Sequence, residues 1–411
     1  MTAVLETRGE GRSALKGWLA VAAVTLGIFA LMTSELLPVG LLTPIGTALD
    51  VSAGTAGLMV TVPGLVAAFS APLVTVATGR VDRRLVLVVL VGLMGAANLA
   101  SAFATNFAVV LAARFLIGVS VGGFWSIAGG IALRLVPERH VARATAVIFG
   151  GVETASVLGV PTGTLLGELN GWRTAFAAVG VLGLTALVLL VFLLPALPAE
   201  RTIRPADLPA QFRDNAGVRL GILMAFLIIT GHFAAYTFVR PILQGDGVDD
   251  GMISVLLLVF GVAGICGNFI AGALMPRHLR RVVAGIAVIL ASTMALSALP
   301  VGGTASSAVL LALWGLGYGA VPVTFQTWML QAAPDAPEVA TSLYTSVFNL
   351  SIALGALFGG FAIDSLAAGG PLWLGGILCA LTLLALGTSG KGKAPARGRD
   401  GAGAGGREVS A

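Results

Sequence analysis

Four ionisable residues lie inside long apolar runs of the sequence: Glu35, Arg114, Glu153 and His232. A charged side chain at the centre of a membrane helix costs about 2.5–3.5 kcal/mol, so such groups normally face a cavity or a counter-charge. A carboxyl group whose partner and hydration change between two conformations has a different proton affinity in each. These four residues are therefore the candidates for a proton-coupling or substrate-binding site.

Counting along the helices gives a depth for each group. At about 1.5 Å per residue from the nearest loop, Arg114 lies roughly 10 Å below the outer surface, and Glu153 and His232 lie near mid-membrane. Glu35 lies in the outer third if the first helix starts at residue 17, and deeper if that helix continues towards Pro44.

Each of these groups also has a structural interpretation. Arg114 would neutralise Glu35 or Glu153 according to the conformation, or it would tie helices together through backbone carbonyls. Glu35 would carry the proton or the substrate charge, or lie at the outer mouth of an interface. Glu153 would take part in coupling or only hold helices together, and His232 would line a cavity or pack among apolar neighbours.

The elements that must position these residues are membrane helices. Hydrophobic residues make up 57% of the 411 residues and charged residues 10%, which is a composition that no water-soluble surface can accommodate. Apolar runs of about 20 residues are long enough to cross a bilayer as helices. The runs predict an all-α membrane protein of twelve spans, at 17–40, 55–77, 85–105, 107–131, 144–167, 173–194, 219–240, 252–274, 282–300, 305–329, 340–363 and 371–389.

Basic residues alternate between the two sides of this twelve-span arrangement. One side receives 21 Lys and Arg residues, the other only Arg173 and Arg240, and Arg114 remains inside a span. The positive-inside rule makes the rich side cytoplasmic, so both termini are expected there. The net charge of +5 therefore reflects membrane orientation, and no nucleic-acid partner is expected.

The polar stretch 195–218, with its prolines and mixed charge, divides the chain into two six-helix bundles, 17–194 and 219–389. We expect this stretch to be a cytoplasmic linker, 1–16 a cytoplasmic N-terminal segment and 390–411 a disordered tail. Two bundles around a central site are the arrangement that alternating access requires.

Glycines recur every four residues in several spans, which lets helix backbones approach closely. In the fifth span Gly159 and Gly163 flank Pro161, so a kink and a moving role are expected there, beside the plainer role of helix packing.

These patterns resemble the major facilitator superfamily, and within it the twelve-helix drug/proton antiporters. The loop 79–84, with Gly79, Asp82, Arg83 and Arg84, is similar to the family's signature between the second and third helices. The segment 111–118 around Arg114 resembles the fourth-helix signature, 159–163 the fifth-helix antiporter motif, and 171–176 the start of the sixth helix. The resemblance implies two pseudo-symmetric bundles and coupling roles for Glu35 and Arg114.

The sequence departs from the family pattern in the loops. The matching loop of the second half, 275–281, has no acidic residue, so a conformational latch built on a salt bridge of Asp82 should be lopsided between the halves. The alternative is that Asp82 is an ordinary solvated loop charge.

Aromatic and amide side chains on the expected cavity helices could contact a planar or hydrophobic substrate. Packing against lipid or interhelical hydrogen bonding explains many of them equally well. The candidates are Trp125, Phe233, Tyr236, Trp314, Tyr318, Trp328, Asn268, Gln326 and Asn349.

The leading hypothesis is a monomeric, proton-driven exporter of a small organic molecule in a bacterial inner membrane. A symporter or facilitator that imports a metabolite is the alternative, and the sequence does not identify the substrate. A membrane enzyme or receptor is disfavoured because no loop is long enough for a catalytic domain. The chain has three lysines and no phosphate-binding loop, and its two cysteines and three histidines are scattered, so no nucleotide, metal or other cofactor is expected.

Overall fold

The computed structural model describes residues 2–78, 81–128, 131–198, 212–299, 303–366 and 369–388. Within these ranges every regular element is helical. The helices of the N-terminal half, up to residue 198, are α1 (Thr2–Ala48), α2 (Ala53–Ala77), α3 (Arg83–Ala102), α4 (Phe107–Ala128), α5 (Ala132–Leu135), α6 (Val141–Thr154), α7 (Val160–Asn170) and α8 (Trp172–Leu193). Those of the C-terminal half, from residue 212, are α9 (Ala216–Tyr236), α10 (Val239–Gly245), α11 (Asp250–Ser297), α12 (Thr304–Gly319), α13 (Val321–Ala332), α14 (Pro337–Leu366) and α15 (Gly369–Thr388).

Eleven helical stretches of the described chain are long and apolar enough to cross a membrane. The longest, α11, has 48 residues and is interrupted at His278, whose φ of −140° and ψ of 36° are not helical. This break lies between the predicted eighth and ninth spans, so α11 supplies two crossings and the total is twelve. The prediction of an all-α, twelve-span membrane protein is confirmed.

The first helix is longer at both ends than the predicted span 17–40. It begins at Thr2 and continues through Pro38 and Pro44 to Ala48. Prolines are tolerated in membrane helices when neighbouring groups satisfy the carbonyls that they free. As a result Glu35 lies thirteen residues before the helix end, about 20 Å along the axis, and not in the outer third.

Two other predicted segments lie largely outside the described residues. Of the linker 195–218, residues 199–211 are not described, and the predicted tail 390–411 is not described at all.

The fifth crossing is interrupted where the sequence predicts a kink. A π-helical turn, Ala155–Gly159, joins α6 to α7 just before Pro161. Proline has no amide hydrogen to donate to the carbonyl four residues earlier, and wider turns of this kind occur frequently at functional sites. After the turn, the glycines pack against α1, with Gly159 on Thr33, Gly163 on Leu37 and Gly167 on Leu41.

The two halves meet along α2 and α14, along α7 and α11, and along α1 and α10. Gly57 of α2 lies against the Phe238 ring, and a Cβ at Gly64 would be 3.1 Å from Cβ of Ala353 on α14. These glycines allow the two halves to touch along the first half of α2, from the α1–α2 loop to the middle of the helix. The end of the molecule that contains the α1–α2 loop, residues 49–52, and α10, residues 239–245, is called the sealed face below.

Candidate functional site

Arg114 lies on α4 with no solvent exposure, and its guanidinium group bonds to backbone rather than to a carboxylate. Nε donates to the carbonyl oxygen of Met59 at 2.8 Å, Nη1 to that of Ser34 at 2.8 Å, and Nη2 to that of Glu35 at 3.0 Å. One side chain thus ties α4 to both α1 and α2. In this conformation Arg114 ties helices together through backbone carbonyls, which is the second of its two interpretations. Its guanidinium group lies next to the backbone of Glu35.

Prolines explain why these carbonyls are available. In an α-helix the carbonyl of residue i accepts from the amide of residue i+4, and proline has no amide hydrogen. Pro38 therefore frees the carbonyl of Ser34, and Pro63 frees that of Met59. Arg114 replaces both missing donors, so its burial is compensated by two helices that would otherwise contain unsatisfied carbonyls.

Glu35 is buried between the helices of the N-terminal half, with 6% of its surface exposed. Its carboxylate forms no ion pair with Arg114 in the described part of the chain, because the guanidinium donors are directed to carbonyl oxygens. The expected neutralisation of Glu35 by direct contact is therefore not observed in this conformation. A buried carboxyl beside a buried cation, without direct contact, remains able to change its proton occupancy when the helices move.

A second arginine closes the sealed face. Arg240 on α10 pairs with Glu168 on α7 at 3.0 Å and with Asp250 on α11 at 3.0 Å, and its side chain is 3% exposed. Its Nη1 also donates to the carbonyl oxygen of Gly40 at 2.8 Å, which is the carbonyl that Pro44 frees on α1. Arg240 thus joins the two halves by replacing a missing amide of the other half.

Further polar contacts between the halves lie at the same face. The hydroxyl of Thr43 donates to Oε1 of Gln244 at 2.8 Å, and Asp364 on α14 accepts from the Ser52 hydroxyl at 2.7 Å and the Gly54 amide at 2.9 Å. Every hydrogen bond identified between the halves among the described residues belongs to this face. These bonds hold the two halves together at this end of the molecule.

In the C-terminal half His232 is the centre of an aromatic column. Its ring stacks on Tyr318 with centroids 3.3 Å apart and on Tyr236 at 4.9 Å, and Tyr236 stacks in turn on Phe260 at 4.6 Å. Trp314 stands edge-on to this column and donates from Nε1 to Nδ1 of His232 at 2.9 Å. The structure thus brings together His232, Tyr236, Trp314 and Tyr318, all of which the sequence singles out.

The candidate residues of the loop after α2 are bonded within the N-terminal half. Asp82 caps α3 by accepting from the Arg84 amide at 2.8 Å, and it also accepts from the Leu197 amide at 2.9 Å. Arg83 donates to the carbonyl oxygen of Thr78 at 3.3 Å, and Arg84 donates to that of Val191. Among the described residues no ion pair of Asp82 is found, and its role as a conformational latch stays a prediction.

The remaining candidates are dispersed. Gln326 bonds to the Thr341 hydroxyl at 2.9 Å, Asn349 bonds within its own helix, and Trp125 packs on Phe149 in the N-terminal half. Gly79 and the side chain of Glu153 lie outside what the structure describes. Glu153 itself is on α6, one residue before the helix ends.

Comparison with known proteins establishes the family. The model of the Major Facilitator Superfamily matches residues 23–338. The chain belongs to this superfamily. Among solved structures, a bacterial homologue of the human lysosomal transporter Spinster superimposes with a TM-score of 0.67, at 15% identity over 90% of this chain and 94% of that one. The human organic anion transporter MFSD10 gives 0.66, at 18% identity over 90% and 99%.

Curated relatives of this major facilitator protein include purine ribonucleoside efflux pumps. The NepI pump of Escherichia coli K12 is 34% identical over 384 residues, which covers 93% of this chain and 96% of the pump. The NepI pump of Shigella flexneri has the same identity and coverage. This major facilitator protein is therefore a multi-pass membrane transporter of small molecules and not an enzyme.

The sequence alone does not identify Arg240, Glu168 and Asp364 as residues that join the two halves. In the sequence Arg240 is one of the two basic residues on the side with few of them, and Glu168 directly follows the predicted fifth span, 144–167. A local signal did exist, because Pro44 requires a donor for the carbonyl of Gly40. Which side chain supplies that donor depends on how the halves pack.

Proposed function

We propose that the protein is a proton-coupled antiporter that exports a small organic molecule of the purine ribonucleoside type across a bacterial inner membrane. The observation that carries the coupling role is the burial of Glu35 beside a cation whose donors are directed to carbonyl oxygens. The similarity to nucleoside efflux pumps over nearly the whole chain supports the substrate class and the direction.

Alternating access supplies the mechanism. Under the orientation in which the basic loops and both termini are cytoplasmic, the sealed face is periplasmic. The substrate enters from the cytoplasm while Arg240, Glu168 and Asp364 hold this face shut. Rocking of the halves then breaks these contacts and displaces α1 against α4, which changes the surroundings of Glu35 and exchanges its proton for substrate.

Everted membrane vesicles test this proposal. The protein should accumulate radiolabelled adenosine in these vesicles when their interior is acidified, and accumulation should stop when the gradient is collapsed. Glu35→Gln cannot exchange a proton, so we expect it to lose gradient-driven accumulation and to keep exchange of labelled for unlabelled substrate.

Glu138→Gln is the matched control, because Glu138 is an exposed carboxylate in the basic loop before α6. It should accumulate substrate like the unmodified protein. Full gradient-driven accumulation by Glu35→Gln would remove Glu35 from the mechanism, and proton-driven uptake in right-side-out vesicles would replace export by symport.

A further inference from the structure

His232 contains a hydrogen-bond donor with no acceptor. The side chain has no solvent exposure, and Nε2 is buried without a partner. Several buried hydroxyl groups also lack a partner, but a hydroxyl hydrogen can rotate towards the carbonyl of the preceding helical turn. Nε1 of Trp172 and Nε of Arg240 are buried donors without an acceptor as well. Trp172 lies at the start of α8 against Phe176, and the other nitrogens of Arg240 form ion pairs, so neither is part of the aromatic cluster around His232. The direction of a ring N–H bond is fixed by the ring, so the hydrogen on Nε2 cannot turn towards an acceptor within its own helix.

The protonation state of the ring follows from its neighbour. An indole N–H is a donor only, so Nδ1 of His232 must present a lone pair to Trp314 Nε1, 2.9 Å away. The neutral ring then has its hydrogen on Nε2. A second proton on Nδ1 would break the bond to Trp314, and for this reason the geometry favours a role in recognition over a role in proton transfer.

The surrounding rings define the shape of a group that could approach Nε2. The rings are nearly parallel in pairs, with interplanar angles of 7° for Tyr318 and His232, 21° for His232 and Tyr236, and 25° for Tyr236 and Phe260. The Phe260 centroid is also 6.1 Å from that of His232, so Phe260 flanks both His232 and Tyr236. The Nε2–H bond lies in the plane of its ring, so an acceptor must lie in the same plane. A flat ring system in the plane of His232 would lie nearly parallel to the neighbouring aromatic rings, an orientation that is compatible with stacking.

The column lies next to the contact between the halves. Phe260 precedes Gly261, and a Cβ at Gly261 would be 2.9 Å from Cα of Val157 in the π-helical turn of the fifth crossing. Movement of the halves therefore changes access to the column. The unpaired donor thus belongs to a cluster of rings that borders this contact.

We infer that Nε2–H of His232 donates to an in-plane ring nitrogen of a planar heteroaromatic substrate, and that the column of Tyr318, His232, Tyr236 and Phe260 is the base-recognition subsite. This inference rests on the proposed function and specifies the part of the substrate that the C-terminal half reads. Trp314 is a positioning residue, because it holds the tautomer that makes Nε2 a donor.

Binding of adenosine and its deaza analogues to the purified full-length protein tests this assignment. The 1-deaza, 3-deaza and 7-deaza analogues each replace one ring nitrogen acceptor by a C–H group. The unmodified protein should bind one of the three about tenfold more weakly than adenosine, which corresponds to one hydrogen bond. His232→Phe keeps a flat ring but has no donor, so it should bind adenosine and that analogue equally.

Two further variants separate recognition from folding. His232→Gln retains an N–H donor and should recover part of the discrimination, and Trp314→Phe, which releases the tautomer, should reduce it. Equal discrimination by His232→Phe and the unmodified protein would overturn the inference, as would equal binding of all analogues by the unmodified protein. If no variant at position 232 folds, the Trp314→Phe variant decides: reduced discrimination would support the inference, and unchanged discrimination would overturn it.

Gradient-driven accumulation of adenosine, measured on the same preparations, distinguishes the two proposals. Discrimination that depends on His232 without gradient-driven accumulation would leave the inference standing and overturn proton-coupled export. Gradient-driven accumulation together with unchanged discrimination in His232→Phe would overturn the inference and leave proton-coupled export standing. Absence of any purine binding would overturn both.

Discussion

Replacing Arg114 by lysine keeps a positive charge and removes the planar fork that serves carbonyl oxygens of two helices. A lysine ammonium is a single point, so it cannot occupy the positions of Nε and the two terminal nitrogens together. The carbonyls of Ser34 and Met59 have no intrahelical donor, because Pro38 and Pro63 follow them by four residues. We expect these two oxygens to determine the cost of the substitution.

The magnitude follows from hydrogen bonds measured inside membrane proteins. Each contributes about 0.6 kcal/mol on average and up to about 1.7 kcal/mol, so losing two lowers the free energy of unfolding by about 1–3 kcal/mol. Pro38→Ala restores an amide hydrogen that the Ser34 carbonyl can accept within its own helix. In that background Arg114→Lys should therefore cost about 0.6–1.7 kcal/mol less, which is the coupling energy of the double-mutant cycle.

The assay is the free energy of unfolding in detergent micelles for the four proteins of the cycle. Pro44→Ala is the matched control, since Pro44 lies on the same helix but leaves the carbonyl of Gly40 without an amide donor, and that carbonyl accepts a hydrogen bond from Arg240 and not from Arg114. Its coupling to Arg114→Lys should be zero within error. A coupling at Pro38 no larger than at Pro44 would refute the idea that Arg114 replaces the missing amide of Pro38.

Two other perturbations test the sealed face and the helix packing. Glu168→Gln weakens the pair with Arg240, and its effect can be measured with an impermeant maleimide that labels a cysteine introduced at Thr43 from that side. The labelling rate should rise by roughly fivefold, which corresponds to about 1 kcal/mol. An unchanged rate would show that the pair does not hold the face shut. In Gly267→Ala the added Cβ would overlap the carbonyl oxygen of Leu316, so the free energy of unfolding should fall by about 1–3 kcal/mol. In Gly272→Ala, on the same helix, the added Cβ meets no atom within 4 Å, so the free energy of unfolding should not change. Equal losses in the two variants would contradict the packing argument.

The fold could be predicted because its signals are local. The length of each apolar run and the positions of the charges between runs are properties of neighbouring residues, and the bilayer converts them directly into helices. The twelve crossings follow from this, including the turn at His278 inside α11. The continuation of the first helix beyond residue 40 to Ala48 did not follow, because Pro38 and Pro44 indicate a helix end unless the carbonyls that they leave without a donor have other partners.

The candidate site could be predicted as a set of residues but not as a set of contacts. Glu35, Arg114 and His232 are each recognisable, since an ionisable group in an apolar run always requires an explanation. Their partners lie 55 to 82 residues away, as with Arg114 and Met59 or His232 and Trp314. Nothing in a linear pattern specifies which atom of a distant segment an arginine or a ring nitrogen will face.

The amino-acid order thus dictates which groups need a partner: buried charges, ring nitrogens and the carbonyls that Pro38, Pro44 and Pro63 deprive of a donor. Helix packing then selects the partner, because hydrogen bonds form only over about 3 Å and that proximity arises when helices from both halves come together. For that reason Arg114 meets carbonyls and not the Glu35 carboxylate, and Arg240 becomes a bond between the halves.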